Sequence, residues 1–199
     1  MSHLTPEPED LLDHTGQRRP TRGMELSARD LRLALAFHET GHAVLGMAYG
    51  MRVERVDLFT WQDSPSEGLF ATGATTWDAH GIRPWRFAAQ CAAGEAAQGR
   101  FLRERGLWTA VNAAACESVH DRELAIDVLA EAGLLLGRSH APAGGKSWAT
   151  IQAVARRSVA LLWPRIHRVA FALEQHNTLT GDEVARLAGL INPAPEGGA

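Results

Sequence analysis

The run Phe37-His38-Glu39-Thr40-Gly41-His42-Ala43 sets an HExxH pattern inside a stretch whose apolar residues recur at helical period. Four residues advance an α-helix by about 400°, so His38 and His42 leave nearly the same face one turn apart, where two imidazoles can grip one metal ion. No other feature constrains the chain as much. The run has to be a helix, and another segment has to bring a further ligand, because a catalytic zinc site commonly takes three protein ligands and leaves a position open. Glu39 stands beside the histidines as the candidate base that takes a proton from a water acidified by the metal. Thr40 and Gly41 are small spacers that let another segment come close. The same five-residue pattern also arises by accident, and it is the surrounding helical context that favours a zinc peptidase site over chance.

A chain of 199 residues with 45% hydrophobic content is long enough for one domain with a real core. The net charge of −3 provides no basic field for nucleic acid or anionic lipid, and Lys146 is the sole lysine among the 20 basic residues. Cys91 and Cys116 lie in Ala-rich surroundings without CxxC spacing, which predicts buried free thiols and a reducing compartment. No stretch approaches the roughly 20 apolar residues of a membrane span, and the N-terminus lacks the shape of a signal peptide. The expectation is a soluble, cytoplasmic protein with no membrane span and no nucleic-acid partner.

Residues 1–26 carry Pro6, Pro8, Pro20 and many charges with little to bury, and are expected to be a disordered arm. Ser27 and Asp30, at capping-box spacing, open the motif helix, which Gly50 closes. Arg52 to Thr60 alternates like a strand, with Val56 and Leu58 inward and Arg55, Asp57 and Phe59 outward. A turn with Pro65 and Gly68 leads to a second strand over Leu69 to Thr76, a candidate edge for an extended peptide, flanked by Trp61 and Trp77. Trp85 to Arg105 reads as one Ala- and Gly-rich helix in which Glu95 is a structural residue or a remote metal ligand. Gly106 to Ala114 reads as connection, and Ser118 starts a further helix reaching Gly133 or Gly137. The Gly144-Gly145-Lys146-Ser147 loop echoes a phosphate-binding loop, but His140 stands where its first glycine belongs, so a flexible linker is expected. Two helices then follow, Ser147 to Trp163 and Pro164 to Asn177, with Pro164 at a first helical position. Thr180 and Glu183 form a capping box for a short last helix, and residues 192–199 read as a frayed tail.

Several of these stretches together resemble the peptidase domain of the FtsH family, the membrane-anchored AAA zinc proteases. Ala36 to Gly46, AFHETGHAVLG, is similar to that family's HEAGHA run. Cys91 to Ala97, CAAGEAA, is similar to its Ala/Gly-rich helix; Ser118 to Ala125, SVHDRELA, to its segment with the third zinc ligand; and Thr178 to Val184, TLTGDEV, to its C-terminal end. The likeness spans about residues 28–190 and places an FtsH-like peptidase domain at 27–191. It implies a mainly α, α+β fold of zincin-like type with a small β-hairpin or sheet after the HExxH helix.

The resemblance also implies Zn2+ as cofactor and Asp121, followed four residues later by Ala125, as the third ligand beside His38 and His42. Two alternatives stay open at this stage. Ser118-x-x-Asp121 is itself a capping box, so Asp121 has a reason to exist without metal, and Asp127 and His120 are other candidate ligands. In that family an AAA module and membrane anchors precede the peptidase domain, whereas here some 27 residues precede the motif helix, so a peptidase domain alone is expected. It implies a polypeptide as substrate, with a separate ATPase or adaptor chain and a homo-oligomer as partners. The resulting expectation is a zinc metalloendopeptidase with Glu39 as its catalytic residue, acting on unfolded or partner-delivered chains independently of ATP. The rival is a peptidase-like binding module that keeps the metal but acts by holding a partner.

Overall fold

A computed structural model describes residues 12, 16, 23–61 and 70–195. Most of the expected arm, the turn with Pro65 and Gly68, and residues 196–199 of the expected tail lie outside the described residues. The fold is helix-rich with a small antiparallel sheet. Its elements are α1 (Ala28–Ala48), β1 (Arg52–Trp61), β2 (Phe70–Asp78), α2 (Pro84–Cys91), α3 (Ala93–Glu104), α4 (Ala110–Ala115), α5 (Val119–Glu131), β3 (Leu136–Gly137), β4 (Lys146–Ser147), α6 (Trp148–His176), β5 (Thr178–Thr180) and α7 (Gly181–Ala188).

α1 is the axis of the molecule, packed against α3, α6, β1 and β2. Its start is capped by Ser27, whose hydroxyl accepts from the Asp30 N–H at 3.1 Å, and its end is released through Gly50 at φ +93°. A side chain at Gly41 would meet the Ala93 carbonyl at 2.6 Å, so the spacer inside the motif is what lets α3 lie directly on α1. Phe37, fully buried, stacks on Phe101 at 4.6 Å and on Trp163 at 5.0 Å, fixing the helix one residue before His38. Buried Arg32 donates to Thr60 Oγ1, the Glu174 carbonyl and Asn177 Oδ1, which ties α1 to the end of β1 and to the end of α6.

The sheet runs β2-β1-β5, all antiparallel, so the expected hairpin is completed by a third strand. That third strand explains why the expected inward and outward alternation of β1 fails. Asp57 and Phe59 are buried along with Val56 and Leu58, because β1 is the middle strand and α1, α6 and α7 all pack against it. Asp57 is satisfied there by Thr178 Oγ1 at 2.8 Å and Arg55 Nε at 2.6 Å.

Three helical expectations need correction. The single helix expected over 85–105 is two, α2 and α3, which meet at Ala92 although no proline or glycine occupies that position. The connection expected over 106–114 contains α4, capped by Thr109 Oγ1 on the Asn112 N–H at 3.1 Å. The two helices expected to divide at Pro164 are one continuous α6. An interior proline removes one backbone bond and costs about 3 kcal/mol. Val159, Trp163, Ile166, Val169 and Ala170 lie buried on either side of it, and their packing against the rest of the core outweighs that loss. The linker expected after α5 contains the short parallel pair β3 and β4, while the Thr180/Glu183 capping box is complete in both halves. Cys91 and Cys116 are free and buried, and no helix among the described residues is long and apolar enough to cross a membrane.

Candidate metal centre

His38 and His42 project from the same face of α1 and bring their Nε2 atoms to 3.0 Å of each other. Asp121, in the first turn of α5, places Oδ2 at 3.3 Å from each of those nitrogens. Donors bound about 2.0–2.1 Å from a tetrahedral zinc lie about 3.3 Å apart, so the three atoms already stand at the separations a metal ion needs. These three residues form a group able to hold a metal ion. Neither His120 nor Asp127 belongs to that group, and Glu95 is not in it either.

The far sides of both imidazoles are fixed. His42 Nδ1 donates to the Gln90 carbonyl at 2.9 Å, and His38 Nδ1 donates to Gln98 Oε1 at 3.2 Å. Both partners are acceptors, so the ring hydrogens sit on Nδ1 and the Nε2 lone pairs face each other and the carboxylate. Three lone-pair donors converging in a recess repel one another unless a cation lies among them. Burial opposes charge on His42, yet Asp121, with Glu39 and the Gln90 carbonyl, raises its pKa from 6.5 to about 9. Burial likewise pushes the Asp121 carboxyl up, but the two histidines hold it well below the usual carboxylate range. The site therefore draws positive charge, whether a proton or a metal.

The capping alternative for Asp121 is resolved by the same geometry. Ser118 precedes α5 but makes no side-chain capping bond, so the box that the spacing allows does not form. The carboxylate is turned instead toward the histidines.

Gly94 makes room for this arrangement. A Cβ there would overlap His42 Nε2 and lie 2.6 Å from His38 Nε2, so the start of α3 forms one wall of the recess with bare backbone. Next to it, Glu95 accepts from Gln152 Nε2 at 2.8 Å, and burial raises its pKa despite a bond from the Ser118 N–H. It thereby connects α3 with α6 and with the start of the helix that carries Asp121.

Glu39 is 6% exposed and is held from β2, not from α1. Thr75 Oγ1 donates to Glu39 Oε2 at 2.7 Å, and Gly73 lies so close that a Cβ would come within 2.7 Å of Glu39 Oε1. β2 is thus the strand that passes the motif, and it is an edge strand of its sheet. Trp77 on this strand has its ring 6.2 Å from that of His42, whereas Trp61 stacks on Phe70 at 5.7 Å. The centre is recessed but reachable on one side, with His38 and Asp121 side chains each 14% exposed and His42 at 3%.

Sequence reasoning did not single out Gln98, the Gln90 carbonyl, Gly94 or Thr75. Gln98 was within reach, since Gly94 and Gln98 are four apart and share a helix face just as the two histidines do. Comparison with models of known protein families finds no match to this chain, and comparison with curated proteins finds none either.

Proposed function

We propose that the chain is a zinc-dependent metalloendopeptidase, an FtsH-like peptidase domain of zincin-like fold that cleaves unfolded or partner-delivered polypeptides without ATP. The observation that carries this reading is the convergence of His38 Nε2, His42 Nε2 and Asp121 Oδ2, with an Asp that forgoes its cap to face the histidines. The chemistry of the donor set, two imidazoles and one carboxylate, fits zinc.

When bound, zinc supplies Lewis acidity and lowers the pKa of a water toward about 7. The remaining work falls to the chain itself. His38, His42 and Asp121 hold the ion, and Gln98 and the Gln90 carbonyl keep the two rings in the tautomer that binds. Glu39 takes a proton from the attacking water and gives it to the departing amine nitrogen as the peptide C–N bond breaks. Thr75 holds one oxygen of that carboxylate and so fixes its direction. A substrate lying along the edge of β2 is held by main-chain bonds whatever its side chains, which suits an enzyme for disordered chains. Trp77 lines the same strand beside the centre.

Casein cleavage by the zinc-loaded protein, with and without Glu39→Gln, tests this reading. The variant keeps all three ligands and is expected to retain zinc while losing about 10²–10⁴-fold in rate. Zinc-loaded protein that leaves casein intact overturns the peptidase reading, as does a Glu39→Gln protein with undiminished turnover.

A further inference from the structure

The outward side of α6 combines two features that seldom sit together on a free surface. Val154 is 42% exposed and Leu161 84% exposed, and their seven-residue spacing puts them two turns apart on one face. Arg157, exposed and about 60° round the helix from Val154, borders that face, and its side chain forms no hydrogen bond or ion pair among the described residues; Arg156 is exposed on the opposite flank of the helix. From Trp148 to Leu173 the helix contains no Asp or Glu. In a chain whose net charge is −3, this is a local reversal of sign.

A pocket of about 240 Å³ opens at the N-terminal end of the face, with Tyr49, Trp85, Ile151 and Val154 among its walls. Two cations stand over its aromatic rings, Arg86 at 5.5 Å from the centre of Tyr49 and Lys146 at 5.0 Å from that of Trp85. No carboxylate lines it.

We propose that this face docks an acidic amphipathic helix of a partner protein. One large apolar side chain of that helix fills the pocket beside Val154, another two turns along covers Leu161, and its carboxylates meet Arg157, Arg86 and Lys146. Both features are needed to choose the occupant. A nucleic-acid backbone matches the cations but leaves Leu161 and the apolar pocket wall uncovered. A second copy of this chain brings the same cations to the same face, and like charges in register repel. An acidic segment with apolar residues seven apart satisfies both at once. The inference is independent of the peptidase reading, because none of these residues belongs to the metal centre.

The test uses the full chain and a fluorescein-labelled, amidated synthetic helix with Leu and Trp on one face and Glu on the other. A sequence-matched peptide with Lys in place of Glu and vesicles of phosphatidylglycerol are the comparisons. Fluorescence anisotropy is expected to show saturable binding of the Glu peptide, weakened about tenfold or more by Arg157→Glu and by Leu161→Asp. Because these positions are exposed, the variants are expected to keep the parent's melting temperature and metal content. No measurable binding of the Glu peptide, equal binding of the Lys peptide, unchanged affinity in both variants, or tighter binding to the vesicles overturns the proposal.

Discussion

Metal affinity at the His38–His42–Asp121 centre should depend steeply on pH. In the metal-free protein burial disfavours charge on His42, but Asp121, 3.3 Å from its Nε2, and then Glu39 and the Gln90 carbonyl, raise its pKa from 6.5 to about 9. A metal must displace that proton. At pH 7 the competition weakens apparent affinity about 100-fold below its limit, and each pH unit recovers about tenfold until the histidine titrates. Cobalt(II), whose visible absorption reports tetrahedral binding, titrated against a chelator between about pH 6 and pH 8, reads this slope directly.

The same pair governs the stability of the metal-free protein. His42 has a folded-state pKa above its unfolded value, so its contribution, roughly 3 kcal/mol for a shift of this size, is complete below pH 6.5 and lost as pH rises through about 9. Asp121 has its pKa depressed, so its contribution is present above an unfolded value of 3.8 and lost on acidification. The two shifts describe one interaction, which is therefore intact from about pH 4 to pH 6.5 and declines on both sides. Cobalt affinity that changes less than about threefold across the titrated range would refute the reasoning, since it would mean that no proton occupies His42.

Three further outcomes follow from the geometry. Asp121→Asn keeps the side-chain shape but removes the anionic donor, so zinc affinity should fall by at least about 100-fold, while Asp127→Asn leaves it unchanged; a zinc competition titration that reverses the two moves the third ligand to Asp127. Gly94→Ala puts a methyl on both imidazole nitrogens, so it should abolish stoichiometric zinc and cost about 1–3 kcal/mol in a denaturant melt, and retention of full metal would show that α3 is not the wall of the recess. Thr180→Ala removes one half of the α7 capping box and should cost about 1 kcal/mol with zinc content unaltered.

What the sequence revealed and what it hid divide along one physical line. The pairing of His38 with His42, the Ser27 cap and the Thr180/Glu183 box are legible because each is a relation between residues three or four apart that helix geometry alone decides, and the Gly50 stop because one residue without a Cβ marks it. Pro164 was misread by the same local logic. Its ring argues for a boundary, but buried neighbours on both sides carry the helix through, and only tertiary packing knows that. β5 was missed because three residues hold too little pattern to announce a strand, and their pairing with β1 is set by where α6 ends, at Asn177 with φ +64°.

Asp121 shows where local reading stops. Spacing from Ser118 supports a cap, resemblance supports a ligand, and both explain an aspartate in a first helical turn equally well. What separates them is a competition for one carboxylate between a nearby backbone N–H and two imidazoles far away in sequence. The Ser118 N–H is already taken by the Glu95 carboxylate, whereas the positive charge drawn between the two imidazoles, a proton on His42 or a metal, needs an anion beside it. The carboxylate therefore does more for the fold beside His38 and His42, each 3.3 Å away, than at the Ser118 cap, which the structure leaves unmade. A helix start whose N–H another carboxylate serves can forgo Asp121, and the charge between the two histidines cannot.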